Sequence, residues 1–133
     1  MDKIPSLVLI DDDEDDLFLI KSILSDLDNQ MPVKTFNNGS DAFEYLCSTP
    51  EQPALILSDI NMPIMTGLEL CETISTNAAL SKKEIPIVLW STSVHNLHSD
   101  VKENANVKGI FKKGDNYAEL KRTMTDILEY MQP

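Results

Sequence analysis

The chain has 133 residues, 42% of them hydrophobic and 25% charged, which suits one soluble domain and leaves no length for a second module of ordinary size. Its formal net charge of −11 repels phosphate backbones and anionic lipid surfaces, so nucleic acid and membrane are excluded as partners, and metal cations or basic protein faces are favoured. Cys47 and Cys71, in no C-x-x-C spacing and each within an apolar helical pattern, fit buried reduced thiols; with no apolar signal core after Met1 and no membrane-length run, a cytoplasmic location is expected.

In chain order, Leu7–Ile10 reads as a strand and leads directly into an unbroken run of acids, Asp11 to Asp16. Leu17, Ile20, Leu24 and Leu27 follow at helical spacing, so the acids occupy a strand-to-helix turn rather than a solvated tail. Asp13 is placed to cap that helix, and Glu14, Asp15 and Asp16 to be surface acids of its first turn, where negative charge suits the helix N-terminus. Asp11 and Asp12 are the candidate metal ligands.

A second strand, Val33–Phe36, precedes a helix carrying Ala42, Phe43 and Leu46; a third, Leu55–Ser58, runs into Asp59 and then a helix with Leu68, Cys71 and Ile74. The fourth strand, Ile87–Trp90, ends at Ser91 and Thr92, and Val94, Leu97 and Val101 fall at helical spacing after it. The fifth, Gly109–Lys112, leads into Lys113 and a last helix with Leu120, Met124, Ile127 and Met131. Thr66-x-x-Glu69 and Asn116-x-x-Glu119 can form capping boxes, and Pro32, Pro53 and Pro86 precede strands. Strands apolar on both alternating faces, separated by helices, predict a doubly wound α/β domain around a five-stranded parallel sheet, (βα)5.

In such a sheet the ligand crevice lies beyond the carboxyl ends of the strands, where Asp11, Asp12, Asp59, Ser91 and Lys113 all fall. Acids after the first and third strands form a hard oxygen site suited to Mg²⁺, with Mn²⁺ as an alternative ion. Such an ion, a lysine and a hydroxyl are the parts that neutralise and hold a phosphoryl group.

The stretches Leu9-Ile10-Asp11-Asp12-Asp13, Leu57-Ser58-Asp59-Ile60-Asn61-Met62-Pro63-Ile64-Met65-Thr66-Gly67, Pro86-Ile87-Val88-Leu89-Trp90-Ser91 and Gly109-Ile110-Phe111-Lys112-Lys113 resemble, in order, the signature segments of response-regulator receiver domains of the CheY-like kind. The resemblance covers essentially the whole chain and implies a flavodoxin-like fold with strand order 2-1-3-4-5. It implies Asp59 as phosphoacceptor, Asp11 and Asp12 as the acidic pair, and the Asn61 backbone carbonyl as a metal ligand. Ser91 matches the switch hydroxyl. Lys113, rather than the adjacent Lys112, matches the phosphoryl-binding lysine because Gly109 and Phe111 then keep the family's register.

The implied activity is self-catalysed transfer from a phosphohistidine of a sensor histidine kinase or histidine phosphotransfer protein, or from a small phosphodonor, followed by autodephosphorylation rather than enzymatic turnover. The output expected from the resemblance is a contact with a downstream protein, or a phosphorylation-dependent homodimer, through the face of the fourth helix, fifth strand and fifth helix. No attached effector is expected. The sequence departs from the family at Ile110, where many members carry an aromatic ring, and at Gly114, the position of a proline commonly preceded by a cis bond. A trans Lys113–Gly114 bond is expected, because cis before a non-proline costs about 2.5–4 kcal/mol. Thr92 stands where a smaller residue often admits the phosphoryl group, and Asn61 and Ser93 occupy positions that tune dephosphorylation.

Other readings fit less well. An EF-hand loop would need glycine at Asp16 and glutamate at Ser22. His95 and His98 lack a nearby acid or cysteine set and read as an exposed helix start. A magnesium-dependent phosphatase with an aspartyl nucleophile, for which Asp11-x-Asp13 is a partial match, wants Thr or Val at Asp15. A receiver-like module that binds protein without phosphorylation would not need the acids, Ser91 and Lys113 together.

Overall fold

The computed structural model describes residues 6–27, 31–92, 107–114 and 116–129. Its elements run β1 (Leu7–Ile10), α1 (Glu14–Asp26), β2 (Val33–Phe36), α2 (Gly39–Ser48), β3 (Leu55–Asp59), α3 (Gly67–Thr76), α4 (Ala78–Lys83), β4 (Ile87–Ser91), β5 (Val107–Lys112) and α5 (Tyr117–Leu128). Ser93, His95, His98, Met131 and the helical spacing of Val94, Leu97 and Val101 lie outside the described residues.

The strands pair in parallel in the order β2-β1-β3-β4-β5, so the chain reverses its direction of winding between β1 and β3. Each strand side chain points to the face opposite its neighbour's, and both faces are covered. Leu7 and Leu9 join Leu57, Val88 and Trp90 against Leu17 and Ile20 of α1 and Leu120, Met124 and Ile127 of α5. Val8 and Ile10 join Ile56 and Leu89 against Leu46 of α2, Leu70 and Ile74 of α3 and Leu80 of α4. Full burial of each such side chain contributes about 1.5–3 kcal/mol.

Prolines lack an amide hydrogen but keep their carbonyls, and two extend the ladder: Leu7 N–H donates to Pro32 O and Ile56 N–H to Pro86 O, both at 2.9 Å. The capping box at α3 is reciprocal, with Glu69 N–H to Thr66 Oγ1 at 3.1 Å and Thr66 N–H to Glu69 Oε1 at 2.9 Å. At α5 it is half formed. Asn116 Oδ1 accepts from Glu119 N–H, but the Glu119 carboxylate accepts from the Asn116 side-chain amide instead of its backbone.

Several features differ from expectation. Helix α4 follows α3 after one residue, Asn77, whose backbone N–H donates to Ile74 O while its side chain accepts from Leu80 N–H. Strands β3 and β4 each run one residue further than their apolar runs, so Asp59 and Ser91 are strand residues, and β5 begins at Val107. Cys47 is exposed rather than buried, because α2 turns Ala42 and Leu46 inward; Cys71 is buried, and burial pushes its thiol up to about 12. Among the described residues, no helix is long and apolar enough to cross a membrane.

Candidate functional site

The carboxyl ends of β1, β3, β4 and β5 carry the polar residues, and the sheet brings them together. Asp11 keeps β1's place in the ladder, donating its N–H to Phe36 O at 3.0 Å, and its side chain is fully buried. The chain then turns: Asp13 N–H donates to Asp11 Oδ1 at 2.9 Å, and the Asp13 carboxylate caps α1 by accepting from Asp15 and Asp16 N–H. Asp59 is held by pairing with Trp90, and Ile60 N–H continues the ladder to Trp90 O at 3.0 Å. Beyond it Gly67 lies so close that a Cβ would sit 2.5 Å from Asp59 O, which is why α3 opens on glycine.

The Lys113 ammonium is the charge centre. Its Nζ lies 2.6 Å from Asp11 Oδ2, 3.0 Å from Asp16 Oδ2 and 3.2 Å from Asp59 Oδ2, with the lysine buried. Lys112, one residue earlier, is exposed, as alternation along β5 requires. Asp16, expected as a surface acid, is instead a member of the site, brought there by the first turn of α1.

Burial, opposed by the Lys113 hydrogen bond and the Asp13 N–H, pushes the Asp11 carboxyl up to about 6. The same burial disfavours the Lys113 charge, but the hydrogen bond and charge of Asp11, with Asp16 and Asp59, outweigh it and hold the ammonium above its ordinary range. The lysine is therefore a fixed cation facing more negative charge than it can balance.

On the other side of Asp59 the contacts are neutral. Asn61 N–H donates to Asp59 Oδ1 at 3.2 Å, and its side-chain Nδ2 donates to Ser91 Oγ at 2.8 Å. Ser91 is fully buried at the end of β4, and its carbonyl accepts from Lys113 N–H at 2.7 Å. Trp90 is also fully buried, with the Lys113 ammonium 5.5 Å from its ring centroid. Thr92 is exposed. Ile110 pairs with Leu89 and packs against the α2–α4 side of the core, while Ser93 lies outside the described residues. The Lys113–Gly114 bond is trans, and a Cβ on Gly114 would stand 2.7 Å from Leu120 N, so α5 leaves no room for a side chain there.

Asp11, Asp12 and Asp59 each offer a carboxylate oxygen, all within 4.8 Å of one another. Asp11 and Asp59 are buried and Asp12 is exposed; carboxylate oxygens are the donors that Mg²⁺ takes. Hard carboxylate donors, and a buried Asp11 whose charge the single lysine does not balance, fit a divalent cation.

Comparison with known proteins agrees with this geometry. Residues 7–124 match the response regulator receiver domain family. The chain is 30% identical over 129 residues to hybrid signal transduction histidine kinase D of Dictyostelium discoideum, covering 92% of this chain and 8% of that protein. It is 35% identical over 88 residues to the two-component response regulator ORR5 of Oryza sativa subsp. japonica, covering 66% of this chain and 62% of that one. The chain thus spans less than two thirds of the length of these relatives.

Among solved structures, the phosphorylated cyanobacterial phytochrome response regulator RcpA superposes with a TM-score of 0.82 at 27% identity, covering 97% of this chain and 94% of that one. The Mn(2+)-bound form of response regulator Rcp1 gives 0.77 at 26% identity, covering 92% and 91%. With the sheet order, the strand-end acids and a match from β1 into α5, the chain belongs to the response regulator receiver domain family.

Proposed function

We propose that Asp59 accepts a phosphoryl group from a phosphohistidine of a sensor kinase or histidine phosphotransfer protein. The observation that carries this reading is the Asp59 carboxylate itself: at a strand end, 3.2 Å from a buried ammonium and within reach of two further acids. Both carboxylates are bonded to Lys113 and to a backbone N–H two residues on, but Asp11 is fully buried whereas Asp59 keeps 8% exposure and is the one a donor can reach. That favours Asp59 over an Asp11-centred phosphatase.

In the transfer, an Asp59 carboxylate oxygen attacks phosphorus in line with the leaving imidazole; a P–O bond forms, the P–N bond breaks, and its electron pair returns to the histidine nitrogen. On this reading Lys113, 3.2 Å from Asp59 Oδ2, and Ser91, at the end of β4, bind separate phosphoryl oxygens. Asp11, Asp12, Asp59 and the Asn61 backbone carbonyl would hold Mg²⁺ or Mn²⁺, which when bound neutralises charge building on those oxygens. Water later cleaves the acyl phosphate, returning the carboxylate and releasing inorganic phosphate. The new charge at Asp59 biases the ends of β4 and β5, and the signal leaves by β5, α5 and the segment of Val94, Leu97 and Val101. A downstream protein or a second copy of the chain is the receiver.

Incubation with Mg²⁺ and acetyl phosphate, read by intact mass, is expected to add one phosphoryl group to the native chain and none to Asp59→Ala. No adduct on the native chain, or an equal adduct on the variant, would overturn the reading.

A further inference from the structure

We infer that Asp16 is the exchangeable counter-ion of the Lys113 ammonium: it takes one ammonium proton in the resting chain and yields it to an incoming phosphoryl oxygen, so it restrains phosphorylation rather than assisting it. The inference deepens the acceptor reading and rests on it. An ammonium has three protons to donate and no lone pair with which to accept. Among the described residues, Lys113 Nζ has three carboxylate partners, Asp11 at 2.6 Å, Asp16 at 3.0 Å and Asp59 at 3.2 Å, one for each proton.

In the encounter with a phosphodonor Asp59 is still a carboxylate, so a phosphoryl oxygen arrives as a fourth acceptor for those protons. One partner must give way, and the carboxylates differ in what they can turn to. The Asp11 side chain is fully buried, and a buried charge stripped of its partner is costly. The Asp59 side chain is 12% exposed and the Asp16 side chain 33%, so Asp16 rehydrates most readily.

Asp16 also sits in the first turn of α1, where the helix N-terminus stabilises its charge without the lysine. It stands outside the trio of acids, Asp11, Asp12 and Asp59, whose oxygens gather at the candidate ion site. Its ion-pair partner among the described residues is Lys113 alone. Asp16 is thus a positioning residue, setting where the ammonium rests before the phosphoryl group arrives.

The test compares the native chain with Asp16→Asn and Asp15→Asn. Both substitutions keep the side-chain shape and remove one negative charge from the same helical turn, but Asp15 is exposed and makes no ion pair with Lys113. Adduct formation with acetyl phosphate is timed by intact mass. Each protein is titrated with Mg²⁺, so rates are compared at their plateaus and any change in ion affinity is read separately. The Lys113 ammonium is followed in the ion-free chain by nuclear magnetic resonance of isotope-labelled lysine, with Lys113→Arg assigning its signal.

At the plateau, Asp16→Asn is expected to form the adduct about two- to fivefold faster than Asp15→Asn, the worth of a partly exposed ion pair. The difference between Asp15→Asn and the native chain gives the effect of charge alone. The Lys113 signal should move in Asp16→Asn and stay in place in Asp15→Asn. A residue that merely supported the fold would slow the reaction when replaced.

An Asp16→Asn plateau rate at or below that of Asp15→Asn overturns the inference while leaving Asp59 as acceptor. A Lys113 signal that Asp16→Asn leaves in place overturns it as well. A native chain that takes no phosphoryl group overturns the acceptor reading, and the inference with it.

Discussion

The two sides of Asp59 differ in kind. Toward β1 and β5 lie Asp11, Asp12, Asp16 and Lys113, a charged cluster in which one ammonium is shared among three carboxylates. Toward β4 lie neutral groups: Asn61 and Ser91, joined by a side-chain hydrogen bond, and Trp90, whose ring packs into the core on the α1 and α5 side. On the proposed reading the charged side would govern acceptance of a phosphoryl group, because Coulomb terms at a buried site exceed a neutral hydrogen bond, and the neutral contacts, each worth little, would be the ones that rearrange.

Lys113→Ala should break the charged side most severely. On the proposed reading it removes the cation that would face the phosphoryl oxygens, and adduct formation with acetyl phosphate should fall by about 10²–10³. A loss of less than about threefold would mean that the two sides do not divide the work in this way.

Next in size is the pH dependence of the ion-free protein. The Asp11 carboxyl lies near 3.8 when unfolded and about 6 when folded, so the folded chain binds the extra proton between those values. Its contribution to stability is complete below pH about 4 and is lost as pH rises through about 6, on the order of 2–3 kcal/mol in all. Denaturant unfolding in chelator across that range, native minus Asp11→Asn, should show this decline, and added Mg²⁺ should reduce it. A difference that is flat, or that rises with pH, would contradict the crowding of Asp11.

The smallest effect sharpens the neutral side. Trp90 precedes Ser91 and lies under the Lys113 ammonium at 5.5 Å, so its fluorescence should change when Mg²⁺ or a phosphoryl group draws that ammonium away. An unchanged spectrum with both ligands would uncouple Trp90 from the site.

The sheet was legible because β1, β3 and β4 are apolar on both alternating faces, a pattern that parallel strands buried between helix layers require. Strand-end residues were legible for the same reason: each follows directly from a run that could be placed. Helix α4 was not, since within its six residues Leu80 is the buried anchor and Asn77 serves as the end of one helix and the cap of the next. Asp16 was read as a surface acid because local spacing shows only its helical phase. Its contact with Lys113 joins residues 97 positions apart. The Asn61–Ser91 bond is likewise invisible to local pattern, although N-M-P after Asp59 and Ser91 at the next strand end were both in view. Cys47 sits one position past Leu46, far enough around α2 to face outward.

Borohydride reduction of the phosphorylated chain followed by peptide mass mapping identifies the nucleophile. Hydride cleaves an acyl phosphate and leaves an alcohol, so homoserine is expected at position 59 with Asp11 and Asp12 unchanged. Homoserine at position 11 or 12, or full recovery of aspartate at 59 from a chain carrying the adduct, would contradict it.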